Sequence, residues 1–222
     1  MNLSPKTLKI LDNFCSIKNS IVIRPGNEIF TGSVSKTIFA RATVAEKFDT
    51  EFAIYDLKKF LSVLSLFKEC DIIIDSSNIL IEGAGAKVNY SCADPMMLYH
   101  PDKTKVKMPS VDSQFILTAI NFNNLIKAAS ALGLAYMAIE AKDKKVLLRA
   151  VSPGNPLADD YSVHITDTSS LDFSMVFELE NIKFMSLDYG VQICSKGLAR
   201  FFNDDVEYYV MANSKYSRFS NV

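Results

Sequence analysis

Residues 52–67, FAIYDLKKFLSVLSLF, change their period partway along. Phe52 and Ile54 alternate with Ala53 and Tyr55, the pattern of a strand with one buried face. From Asp56 the period lengthens. Leu57, Phe60, Leu61, Leu64 and Phe67 fall on one side of a helix, with Lys58, Lys59, Ser62 and Ser65 on the other. Asp56 is placed to cap that helix, because a short carboxylate accepts the free N–H groups of a first turn. A strand, a turn and a short helix with one apolar and one basic face make a unit that must lie against something else.

The unit recurs more loosely. Residues 115–132 give a strand, Asn121 as cap, and Phe122, Leu125, Ile126, Ala129 and Leu132 as the apolar side. Residues 174–185 give a strand and a short helix through Glu178, Leu179, Ile182 and Met185. Residues 4–17 give the helix alone, with Ser4 as cap, Pro5 at the first helical position, and Leu8, Leu11 and Cys15 along one side. The leading apolar positions Leu8, Leu57, Phe122 and Leu179 are spaced for duplicated domains rather than a tight solenoid.

Strand candidates fill the intervals: 20–24, 28–32, 36–44, 70–75, 78–82 and 86–92 in the first half. The second half has 114–119, 135–141, 145–151, 160–165, 173–177, 189–194, 198–203 and 206–212. The fold class expected is α+β: two similar domains of antiparallel sheets with helices on one face, spanning 1–92 and 114–222. Residues 93–113 join them. Pro95, Pro101, Pro109, Lys103, Lys105 and Lys107 read as an extended linker, and the apolar cluster Met96, Met97, Leu98 and Tyr99 either packs back onto the domains or walls a groove for a partner peptide. The tail from Asn213 reads as polar and mobile, with Tyr216 and Phe219 on it. Sheets built twice leave open strand edges, and 86–92 and 160–165 are a natural pair for head-to-tail closure of a ring.

Several chemistries find no support. Cys15, Cys70, Cys92 and Cys194 form no CxxC pair and read as reduced, mostly buried thiols, so zinc and thioredoxin chemistry are not expected. His100 and His164 have no ligating or triad partner at the right spacing, so no catalytic or metal residue is assigned and no cofactor is expected. Gly83 and Gly85 lack the third glycine and the following helix of a phosphate loop. The chain is 49% hydrophobic and 22% charged with a net charge of −1, so a nucleic-acid surface would need its positive charge gathered on one face. No apolar run reaches membrane-spanning length and no secretory segment follows Met1, so neither membrane nor secretion is expected.

Three stretches then carry a resemblance: MNLSPKTLKILDNFCSIKNSIVI at the start, FAIYDLKKFLSVLSLF, and the Ala93–Asp94–Pro95 opening of the linker. With the length and the repeated unit, they resemble the DNA polymerase sliding clamps of T-even-type bacteriophages, which are similar in fold to PCNA. The likeness is closest in the first half and loosest after about residue 150. It implies a non-enzymatic processivity factor: a homotrimeric ring of six domains, lined by twelve helices, encircling double-stranded DNA without regard to sequence. Twelve helices at about 10 Å spacing would make that ring roughly 38 Å across between axes.

The resemblance further implies a DNA polymerase, an ATP-dependent clamp loader and phage transcription factors as partners, in the cytoplasm of an infected bacterial host. It makes Lys6, Lys9, Lys58, Lys59, Lys127 and Lys183 the DNA-facing residues, with Asp12 and Glu180 departing from a purely basic lining. It makes Val34, Met97, Leu98 and Tyr216 the peptide pocket, and Val88, Tyr90, Tyr161 and Val163 the subunit interface. The rival class is an oligomeric protein-interaction scaffold that does not encircle DNA.

Overall fold

The computed structural model describes residues 1–101, 106–155 and 157–219. Lys103 and Lys105 of the linker lie outside the described residues. The chain divides into two compact units, Met1–Ser35 with Phe39–Thr104, and Lys36–Ile38 with Lys105–Val222.

The first unit runs α1 (Pro5–Ile17), β1 (Ile21–Ile23), β2 (Gly26–Gly32), β3 (Ile38–Phe48), β4 (Phe52–Ile54), α2 (Leu57–Leu64), β5 (Asp71–Ile74), β6 (Asn78–Gly83) and β7 (Ala86–Ser91). Strands β1 and β4 pair antiparallel, β2 and β3 form a hairpin, and β5, β6 and β7 form a meander with β7 at its edge. The helices pack on each other. Their apolar sides differ in part from the sequence pattern. On α1 the buried residues are Thr7, Ile10, Leu11 and Phe14, whereas Leu8 and Cys15 are half-buried. The buried stripe centres on Phe14, the largest side chain on that helix, and the largest apolar surface goes inward first. Strand β4 is buried on both sides, so the alternation read at Phe52–Tyr55 does not mark a solvent face.

Ser4 does cap α1, its side chain accepting from the Thr7 N–H at 3.2 Å. A second cap comes from β3. The Glu46 carboxylate accepts from the Ser4 N–H and, at 2.5 Å, from the Thr7 hydroxyl. Burial pushes the Glu46 carboxyl upward, but the hydrogen bonds from Thr7 and Ser4 outweigh it and hold it below the usual glutamate range. A carboxyl lowered by folding contributes stability above its unfolded pKa and loses it as pH falls. Glu46→Gln is therefore expected to melt lower than the parent at pH 7, with the gap closing below about pH 4.5. Melting curves from pH 7 to 3 check this; a gap constant with pH counts against it.

The second unit runs β8 (Ser113–Leu117), α3 (Ala119–Leu132), β9 (Tyr136–Lys142), β10 (Lys145–Val151), β11 (Tyr161–Thr166), β12 (Phe173–Glu178), a 3-10 turn at Leu179–Asn181, β13 (Tyr189–Cys194), β14 (Leu198–Phe202), β15 (Val206–Met211) and β16 (Arg218–Phe219). One sheet has the order β11-β10-β9-β12-β16, and β8, β13, β14 and β15 lie side by side in that order. The cap of α3 is Thr118, which accepts from the Asn121 N–H, so that helix starts before the expected Asn121. Gly133 ends it in the left-handed conformation, φ 64°, as expected of a glycine there.

The fourth expected helix does not form. After the single turn, Ile182 leaves helical geometry and Phe184 enters an aromatic cluster, 4.5 Å from Phe201, 4.7 Å from Tyr208 and 5.7 Å from Phe122. The backbone of Met185 is taken by hydroxyls: its N–H donates to Tyr208 and its carbonyl accepts from Tyr189. Those bonds replace the helical ones, and aromatic burial outweighs the weak preference of a short unpaired helix. Burial pushes the Tyr208 hydroxyl up to about 12 and Tyr189 higher still, so both stay neutral.

The tail is also tied down. The Asn213 N–H donates to Val176, and Arg218 and Phe219 pair with Ser174 and Phe173, with Phe219 stacked on Phe173 at 6.0 Å. Of the cysteines, only Cys194 is buried; Cys15, Cys70 and Cys92 are half-buried.

Candidate nucleic-acid interface and partner surfaces

The first unit gathers four of the six lysines. Lys6 and Lys9 are exposed on α1, Lys9 away from the buried Ile10 and Phe14 and Lys6 at the flank of that stripe, and Lys58 and Lys59 are exposed on the first turn of α2. Asn13 and Ser16 continue the α1 stripe. The second unit places Lys127 exposed on α3, whereas Lys183 is half-buried beyond the 3-10 turn, on no helix.

Alignment of α1 with α2 depends on a residue that the sequence pattern did not single out. Asn19 follows the end of α1. Its backbone carbonyl accepts from the Leu57 N–H at 2.9 Å, and its Oδ1 accepts from the Lys58 N–H at 2.8 Å. Asp56, the expected cap, accepts from the Lys59 N–H at 2.9 Å and from Asn19 Nδ2 at 3.1 Å. Those two bonds, first from Lys59 and then from Asn19, hold the Asp56 carboxyl below its usual range. Two of the first three N–H groups of α2 are thus satisfied by Asn19, just beyond the end of α1.

The linker opens as structure rather than as an extended strap. The Ala93 N–H donates to Ala53, Asp94 caps a 3-10 turn at Pro95–Met97, and Lys18 donates to the Tyr99 carbonyl while lying over its ring. Arg24 lies 2.8 Å from His100 Nδ1. These contacts split the apolar cluster. Leu98 is half-buried, whereas Met96 and Met97 project into solvent, 93% and 82% exposed. Val34 is also exposed, in the loop between β2 and β3. Tyr216, in the second unit, meets Tyr136 edge-on at 5.6 Å.

Two hairpins decide what the edge strands offer. Ala84 and Gly85, and likewise Asp143 and Lys144, all have positive φ, the signature of two-residue type I′ turns. The residues flanking such a turn exchange both backbone bonds, and pairs alternate from there. Following the register from Gly83↔Ala86, the backbone groups of Val88 and Tyr90 point to β6, and those of Lys87, Asn89 and Ser91 point outward. Following it from Lys142↔Lys145, those of Tyr161 and Val163 point to β10, and those of Ser162 and His164 point outward. The Tyr90 ring turns toward its own helix layer, 5.2 Å from Phe60, with its hydroxyl donating to the Asp56 carbonyl at 3.0 Å. Among the described residues, no group of three His, Cys, Asp or Glu converges as a metal site.

Comparison with known proteins agrees with this architecture. Residues 3–90 match the family model described as DNA polymerase processivity factor. The chain is 29% identical to the sliding clamp of Escherichia phage RB69 over 219 residues, covering 95% of this chain and 96% of that one. It is 26% identical to the sliding clamp of Vibrio phage KVP40 over 217 residues, covering 95% and 98%. Among solved structures it superposes on A. fulgidus PCNA, a complex with the C-terminal region of FEN-1, with a TM-score of 0.72 at 12% identity, covering 96% and 97%. The fold and these matches make the chain similar to DNA polymerase processivity clamps. The likeness in sequence to the sliding clamps of phages RB69, KVP40 and T4 runs nearly end to end.

Proposed function

We propose that three copies of the chain close head to tail into a ring around duplex DNA and tether a DNA polymerase to it, without catalysing a reaction. The observation that carries this reading is the α1–α2 pair, which buries an apolar face and leaves four lysines exposed outside it. Lysine is a hydrated point charge on a flexible stem, so it attracts phosphates without fixing register or reading bases. In the second unit, Lys127 on α3 and Lys183 beyond the 3-10 turn are the corresponding DNA-facing residues. A ring that stays on the strand holds polymerase at high effective concentration near the primer end.

With three α-helices per chain among the described residues, such a ring carries nine. Nine at about 10 Å spacing would leave a bore of roughly 17–19 Å, against roughly 26–28 Å for twelve. The open edges of β7 and β11 are the surfaces that close the ring, through main-chain groups rather than through Val88, Tyr90, Tyr161 and Val163 alone. In the first unit, Met96 and Met97 with Val34 and Leu98 receive the polymerase peptide, and thioether side chains repack for different peptides. An ATP-dependent loader opens the ring, and the protein acts inside the infected host cell.

Light scattering over a concentration series tests this first. The expected mass is near three times 24.7 kDa, falling on dilution. A single-chain mass at every concentration would rule out encirclement.

A further inference from the structure

We propose that Asn19 is the positioning residue of the DNA-facing surface: it locks α2 to the end of α1, so that Lys58 and Lys59 share one face with Lys6 and Lys9. The inference rests on the DNA-facing role proposed for these lysines and adds to it the part that sets their spacing.

The geometry is specific. The side chain of Asn19 makes three contacts at once: Oδ1 takes the Lys58 N–H at 2.8 Å and the Cys15 thiol at 3.2 Å, and Nδ2 gives to Asp56 at 3.1 Å. Its backbone carbonyl takes the Leu57 N–H. Lysines on a first helical turn sit badly with the positive end of the helix dipole, so α2 begins against its own charge. The orphan N–H groups there need acceptors, and Asn19 supplies two. An amide is suited to this place because it accepts from the helix end and donates to the Asp56 carboxylate with one side chain. Asn19 is exposed, so its role lies in alignment rather than in the core.

The test is duplex binding by the full-length protein, followed by fluorescence anisotropy on a labelled DNA duplex from 50 to 200 mM salt. Lys58→Ala with Lys59→Ala is expected to flatten the log–log salt dependence by about 0.9 for each phosphate no longer neutralised. Asn19→Ala, which removes no charge, is expected to weaken binding roughly threefold to tenfold and to flatten the slope by about one phosphate's share. Asn19→Asp sets two carboxylates together and should weaken it further. Adding Asp56→Asn restores one amide facing one carboxylate, and this exchanged pair should return both slope and affinity to within about twofold of the parent.

A lowered melting temperature in Asn19→Ala with the salt slope unchanged would overturn the proposal, because a merely structural residue behaves that way. If Asn19→Ala does not fold, Asn19→Asp against the exchanged pair decides: equal slopes overturn it. If the lysine variant itself leaves the slope unchanged, the DNA-facing reading fails, and the proposal falls with it.

Discussion

Ser162→Pro is expected to leave the chain folded and to abolish ring assembly. The two-residue turn at Asp143–Lys144 fixes the alternation along β10, which turns the Ser162 N–H away from β10 and toward the open side of β11. Proline there removes a donor directed away from β10, and an edge strand tolerates it. Val163→Pro is the control. Its N–H points to β10, so the same substitution one residue on should cost stability as well as assembly. On β7 the matching change is Asn89→Pro, outward, against Val88→Pro, inward. Light scattering should report about 24.7 kDa for Ser162→Pro and Asn89→Pro, with melting temperatures close to the parent. Since encirclement needs a closed ring, processivity should fall to that of polymerase alone. A trimeric mass for both would move the closing interface elsewhere.

That contrast shows which parts of the molecule the sequence exposes. Period places α1, α2 and α3, and Ser4 and Asp56 occupy the caps assigned to them because those ends are satisfied by neighbours in sequence, whereas α3 is capped by Thr118 and not by Asn121. The strand positions follow within a residue or two for most elements, for the same local reason. The misses are tertiary. Residues 179–185 have helical spacing, yet Phe184 lies between Phe201 and Tyr208, and those rings come from strands well downstream. Glu46 caps a helix 42 residues earlier, and Asn19 caps one 39 residues later; neither separation leaves a trace in a local pattern.

The surfaces were legible in chemistry and not in direction. The lysines on α1 and α2 are exposed where the amphipathic pattern puts them. Tyr90 lies on β7 as expected, but its ring serves its own helix layer, and what the strand offers outward is backbone. Whether an edge residue faces in or out depends on the turn that sets its register. Ala84–Gly85 carries the glycine that favours such a turn, whereas Asp143–Lys144 adopts the same geometry with no glycine.

Met96→Asp with Met97→Asp should eliminate stimulation of the polymerase while leaving assembly intact. Both side chains project from a turn whose backbone is fixed by Asp94 and anchored to the first unit through Lys18 and Arg24, so they are presented in a set position without being part of the core. Exposed apolar residues held in this way are a cost in an isolated chain and a gain once covered. Burying each methionine against a peptide contributes about 1.5–3 kcal/mol, so losing the pair should weaken polymerase binding roughly a hundredfold or more. Leu98 separates docking from folding: it is half-buried, and Leu98→Asp should lower the melting temperature, which the methionine pair should not. Primer extension on circular templates, with polymerase and loader held constant, reads the first effect, and calorimetry reads the second. Full stimulation by the double methionine variant, with its ring intact, would place the docking surface away from this turn.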